Sequence, residues 1–211
     1  MSYVKQQLYG GAITTHIPNG LLDASTLRQI PDSQEVFLNP KSDADSEGML
    51  REDDTLIIEL MERLENDTDL DSIKEHLSEI SNLNGVGKTE WQILKLHEVS
   101  NPSLIEDKAY IAVVSEPAKK WGRETEGTIE STLVLVFGIL RINKSETDLL
   151  VNLNLPFKAA AELKALKALM EDEETHANEG NSAWKRISQG DAVVTKVLES
   201  MRIEDWGLFG M

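Results

Sequence analysis

Apolar and polar positions alternate most clearly in the middle of the chain. Leu149, Val151, Leu153 and Leu155 alternate with Leu150, Asn152 and Asn154, the period of a strand with one buried face. Leu133 to Leu140 is apolar on both faces and predicts a strand inside a sheet, covered on both sides. Asn143-Lys144-Ser145-Glu146 links these two as a hairpin. Further strands are predicted near Glu90 to Val99, Lys108 to Ser115 and Glu130 to Ile142. Leu8 to Ile17 reads as strand, glycine turn and strand, and Glu35 to Leu38 as extended.

Helical periodicity marks other segments. Leu70, Ile73, Leu77 and Ile80 form one face of a helix from about Asp69 to Asn82, with Thr68 and Asp71 at capping-box spacing and Asn84-Gly85 as the stop. Residues 157–174 predict a surface helix ending in the acid run Glu171 to Glu174. A last amphipathic helix over Ser182 to Met201 should bury Trp184, Ile187, Val194, Val197, Leu198 and Met201. Thr55 to Leu64 is ambiguous. Its spacing fits a helix, whereas its β-branched start fits a strand. Short links between strands, with helices elsewhere, predict an α+β fold with a mainly antiparallel sheet flanked by helices.

Charge narrows the function. With 37 acidic and 21 basic residues the formal net charge is -16, a surface that repels nucleic-acid phosphates and anionic lipid and attracts a basic protein. No apolar run reaches membrane-spanning length, and the start of the chain lacks a secretory signal pattern. With no cysteine there are no disulfides or thiolate metal sites, which is compatible with the cytosol or nucleus. Six acids fall between residues 39 and 54, predicting a solvated, flexible loop dispensable between Ser42 and Asp53.

Motifs for chemistry are sparse. Gly85-Val86-Gly87-Lys88-Thr89 lacks the first glycine of a phosphate loop, Asn82 standing in its place, and follows a helix instead of a strand. The four histidines show no metal-ligand spacing, and no Gly-x-Ser-x-Gly elbow is present. His76, near an apolar stripe, reads as a structural residue. In Pro31-Asp32-Ser33-Gln34-Glu35-Val36, two carboxylates stand three apart beside a proline. They suit either a claw for a basic partner residue or an ordinary turn with a solvated acid.

An ordered set of segments carries a resemblance. Leu8 to Thr14, Leu22-Asp23-Ala24-Ser25-Thr26-Leu27-Arg28 and Pro31 to Val36 resemble the start of the Ran guanine-nucleotide release factor family. Leu56 to Leu60, His76 to Gly85, Lys119-Lys120-Trp121-Gly122, Thr147 to Leu150 with Asn154, and Leu208-Phe209-Gly210 fit the same family in order. The resemblance implies a six-stranded antiparallel sheet between helices, shared with the PsbP proteins of photosystem II, and tips Leu56 to Leu60 towards strand. It implies one domain over residues 1–211, with the acidic loop at 39–54 and the helical segment at 157–180 as its least family-like parts. Binding of the GTPase Ran, release of its nucleotide and support of nuclear import are implied as well, for a monomer of nucleus and cytoplasm without cofactor, metal or catalytic residues. Carried over, the partner-binding acids are Asp32 and Glu35, with Asp23 as a weaker member that also suits a turn cap. A PsbP-like structural subunit, and a hydrolase whose site assembles only in space, are the competing readings.

Overall fold

The computed structural model describes residues 2–40, 50–119, 131–171 and 180–210. In chain order the strands are β1 (Tyr3–Leu8), β2 (Ile13–Pro18), β3 (Leu22–Asp23), β4 (Gln34–Leu38) and β5 (Thr55–Glu62), followed by helix α1 (Asp69–Leu83). Then come β6 (Gln92–Val99), β7 (Lys108–Pro117), β8 (Thr132–Ile142), β9 (Thr147–Phe157), helices α2 (Ala160–Glu171) and α3 (Ser182–Ser200), and β10 (Arg202–Ile203). Among the described residues seven strands form one sheet in the order β3-β4-β5-β9-β8-β7-β6, and β1-β2-β10 form a smaller one. The strand pairings of both sheets are antiparallel. The large sheet therefore has one strand more than the six implied by resemblance, and the two-residue β3 is a minimal edge.

Strand β8 lies between β9 and β7, and Leu133 to Leu140 is buried on both faces of the sheet, as its two-sided apolarity requires. One face of the sheet packs on α1 through Ile73 and Leu77 against Ala112, Leu135, Phe137 and Leu150. The other packs on α2 and α3 through Leu166, Ile187, Val194 and Leu198 against Val136, Val151 and Leu153. Helices thus cover both faces. Segment 55–62 is a strand because it has a partner on each side, β4 and β9, and its alternate positions Leu56 and Ile58 face the core under α2 and α3.

Some positions depart from the sequence expectation. Leu70 is left exposed, because the first turn of α1 is fixed through Asp69, which accepts bonds from Arg141, Lys108 and Tyr110. Trp184 is only partly buried, whereas Arg186, on a helix chosen for its apolar residues, is buried and bonded to Asp54 at 2.6 Å and to the Pro156 carbonyl at 2.9 Å. The ends of the acidic stretch are not solvated. Leu50 and Asp54 are buried, Asn39 donates to the Leu50 carbonyl, and Arg51 pairs with Glu162 of α2. Residues 41–49, most of the expected flexible loop, lie outside the described residues, as do Lys120-Trp121-Gly122 and Asp172 to Glu174.

Close approach of α3 to the sheet depends on two glycines. A Cβ on Gly138 would lie 2.7 Å from Val194 Cγ1, and one on Gly190 would lie 2.8 Å from Leu155 Cδ1. Gly138→Ala is expected to destabilise the protein by about 1–3 kcal/mol through overpacking, read as a lower urea midpoint with unchanged slope. A midpoint unchanged from wild type would show that α3 can slide without penalty.

Candidate partner-binding surface

The Pro31 segment forms a closed turn. The Gln34 amide donates to the Pro31 carbonyl at 2.9 Å, and the Leu60 amide donates to the Ser33 carbonyl at 2.9 Å. Pro31 is the first residue of this turn, with Asp32 and Ser33 at its centre. Asp32 sits at the tip and is exposed, open to a partner's cation.

Glu35 departs from the expectation of two outward-facing carboxylates. It is half-buried and accepts the backbone N–H of Tyr9 at 2.5 Å. Burial raises its pKa, the Tyr9 N–H offsets part of that rise, and the nearby charge of Asp23 adds to it. Tyr9 holds a left-handed backbone at φ 50°, costly for a residue with a side chain. Its amide is held by Glu35, and its hydroxyl donates to the carbonyls of Ser33 at 3.1 Å and Ile58 at 3.2 Å. Burial, with Glu35 and Glu59 beside it, pushes the phenol far above its usual range, so it stays a neutral donor. The Tyr9-Gly10-Gly11 turn and the Pro31 turn are thereby fastened together. In the sequence, Tyr9 is legible only as part of a glycine turn.

Asp23 caps a one-turn 3-10 helix over Ala24–Thr26, accepting the Ser25 N–H at 2.8 Å. In register it pairs with Phe37, two residues from Glu35, so the two carboxylates lie on one face of the β3-β4 edge. Next to them, Gln34 donates to Glu59 of β5 at 2.8 Å. The structure brings Asp23 and Glu35 into electrostatic contact while Asp32 stands on the turn beyond them.

The other sequence features have structural partners. Gly85 takes φ +76° as the helix stop, and the Gly87 N–H binds the carboxylate of Glu90 at 2.7 Å, where a phosphate loop would bind phosphate. His76 is buried, with Nε2 at 3.0 Å from Asp148 Oδ2. Asp148 also accepts from Arg141 Nε at 3.1 Å and from the Leu64 N–H at 3.1 Å. His76 thus serves a structural network, and among the described residues no group of three or more His, Asp or Glu side chains is arranged for a metal ion.

These features define an α/β/α sandwich with Asp23 and Glu35 on one face of its sheet edge and Asp32 exposed on the adjoining turn. A family model described as Mog1, the Ran-interacting Mog1 protein, matches residues 6–156. The chain belongs to the Mog1 family. Nuclear import protein MOG1 of Saccharomyces cerevisiae is 32% identical over 157 residues, 74% of this chain and 67% of that protein. A probable Ran guanine nucleotide release factor of Dictyostelium discoideum is 29% identical over 212 residues, 99% of this chain and 97% of that protein. The crystal structure of the Saccharomyces cerevisiae Ran-binding protein Mog1p superposes with a TM-score of 0.77 at 26% identity, covering 99% of each chain. The family model stops before α2 and α3, whereas the structural likeness extends over them.

Proposed function

We propose that this chain binds the small GTPase Ran and promotes release of its guanine nucleotide, in support of nuclear protein import, as a monomer acting in nucleus and cytoplasm. The observation that carries this reading is near-complete coverage of relatives whose names read probable Ran guanine nucleotide release factor and Ran guanine nucleotide release factor. The net charge of -16 and the exposed Asp32 support it physically, since they favour encounter with a basic surface.

The mechanism is one of linkage and needs no covalent step. A GTPase holds its phosphates with a lysine, backbone amides and Mg²⁺. A carboxylate brought to that region competes for the positive groups and favours the nucleotide-free state. Whatever binds that state more tightly weakens nucleotide binding by the same free energy. Asp32 makes the contact in this scheme. Glu35 and Asp23 shape and charge the edge behind it, Glu35 through its hold on Tyr9.

The test is release of a fluorescent guanine nucleotide from Ran with and without the protein. Faster release that saturates with protein concentration is expected, together with capture of nucleotide-free Ran. An unchanged release rate at saturating protein, with no capture, would refute the proposal.

A further inference from the structure

The chain has two Asn-Gly steps, Asn19-Gly20 and Asn84-Gly85, and the fold treats them oppositely. An asparagine before glycine is open to attack on its own side chain, because glycine has no Cβ to shield its amide nitrogen. That nitrogen bonds to the side-chain carbonyl carbon, the bond from this carbon to the side-chain nitrogen breaks, and ammonia leaves with the glycine's amide proton. The succinimide ring so formed takes up water at either carbonyl and opens to aspartate or isoaspartate. The reaction needs a side chain free to turn and an amide nitrogen free to attack.

Asn19 meets both needs. It and Gly20 are exposed in the turn between β2 and β3, where Gly20 takes φ +92°. The Asn19 N–H donates to the Ser2 carbonyl at 3.0 Å and anchors the turn behind the side chain. Among the described residues, no hydrogen bond engages the Asn19 side-chain amide or the Gly20 N–H.

Asn84 is held on both counts. Its Nδ2 donates to Glu116 Oε1 at 2.6 Å, and the Gly85 N–H donates to the Asn82 carbonyl at 3.0 Å. Glu116 is 1% exposed and also accepts from Ser81 Oγ at 2.6 Å. An acid at position 84 would replace a donor to that buried carboxyl with a second acceptor, an unfavourable exchange.

We infer that Asn19 is a site of spontaneous deamidation and isomerisation, with water as the only co-reactant, and that the fold protects Asn84 from the same reaction. Isoaspartate routes the main chain through the side-chain carbon and lengthens the turn by one atom. This turn joins β2 of the small sheet to β3 of the large one. Strand β3 is held to β4 only at Leu22 and Asp23, so the added length falls on a weakly paired edge.

The test holds folded protein in mildly alkaline buffer at body temperature and maps its peptides by mass spectrometry over days, counting isoaspartate with an isoaspartyl methyltransferase. Asn19 is expected to convert at least about tenfold faster than Asn84, which reacts only when the end of α1 opens. In urea, where neither is held, the two should convert within about threefold of each other. Asn19→Gln keeps an amide but requires a larger ring, and should remove most of the acidic forms that accumulate in folded wild type. Equal rates at the two positions in folded protein would overturn the inference, as would an Asn19 that converts in urea but not when folded. Acidic forms that build up unchanged in Asn19→Gln would place the reaction at another residue and overturn it as well.

Discussion

Replacing Arg141 with methionine is expected to destabilise the protein by about 3–5 kcal/mol, the loss typical when one member of a buried ion pair is removed. Arg141 is 3% exposed and binds Asp148, itself 0% exposed. It also donates to Asp69 and to the Leu64 carbonyl, so one guanidinium joins β8, β9 and the start of α1. Truncation leaves Asp148 charged and buried with only His76 and the Leu64 N–H. Urea unfolding at neutral pH reads the loss. A midpoint within error of wild type would show that water or His76 replaces the cation.

The same network predicts a pH dependence. Burial alone would raise the pKa of Asp69, but bonds from Lys108, Tyr110 and Arg141 outweigh it and hold the carboxyl at about 2. Asp148 is likewise lowered, the bonds from His76, Leu64 and Arg141 overcoming burial. An unfolded aspartate titrates near ~3.9, so these groups bind protons more readily unfolded than folded. Their contribution is fully present above about pH 4 and is lost as pH falls below it, for Asp69 towards about 2. Wild type should lose stability across that window, and Arg141→Met should lose less, having already lost the bonds concerned. Parallel curves for the two proteins would place the acid sensitivity elsewhere.

How much of this is legible in the chain depends on the range of the interaction. The β8–β9 hairpin and the span of α1 follow from local alternation, turn residues and caps, and the structure has them where those signals lie. The strand at Thr55–Glu62 is ambiguous in sequence because its period cannot reveal that β4 and β9 will pair with it on either side. Arg186 and Asp54 are 132 positions apart, and Arg141 and Asp69 are 72 apart. No local pattern marks such pairs, so a charged residue reads as solvated until the fold brings its partner. Glu35 is the same case within the candidate surface. Its spacing from Asp32 suggests a matched pair, yet β4 alternates its side chains, and the Tyr9 amide, 26 positions away, claims the carboxylate. Ran binding itself is legible only through the ordered family segments, because an exposed acid has no sequence signal that separates contact from solubility.

Asp32→Lys is expected to slow Ran nucleotide release at least tenfold while leaving the fold intact, and Asp32→Ala to slow it less. The alanine removes a charge-assisted bond, worth about 2–5 kcal/mol in a desolvated pair and much less at a wet rim, and lysine adds repulsion. Asp32 is exposed, and the turn is closed through the Pro31 carbonyl without its side chain. Glu35 behaves differently. Glu35→Ala leaves the Tyr9 N–H without its acceptor, an omission of about 1–3 kcal/mol, so stability and release should fall together. Glu35→Gln keeps an acceptor for Tyr9 and removes the charge. Release retained in Glu35→Gln but lost in Glu35→Ala would assign Glu35 to holding the turn, and release lost in both with stability retained in the former would make it a direct contact. Glu98→Lys, an exposed position on β6 at the opposite edge of the sheet, makes the same charge change as Asp32→Lys and serves as control. Rates at low and moderate salt complete the comparison, because long-range attraction is screened and a close pair much less so. Should Glu98→Lys slow release as much as Asp32→Lys at both salt concentrations, bulk charge is the cause and the Pro31 turn is not the contact.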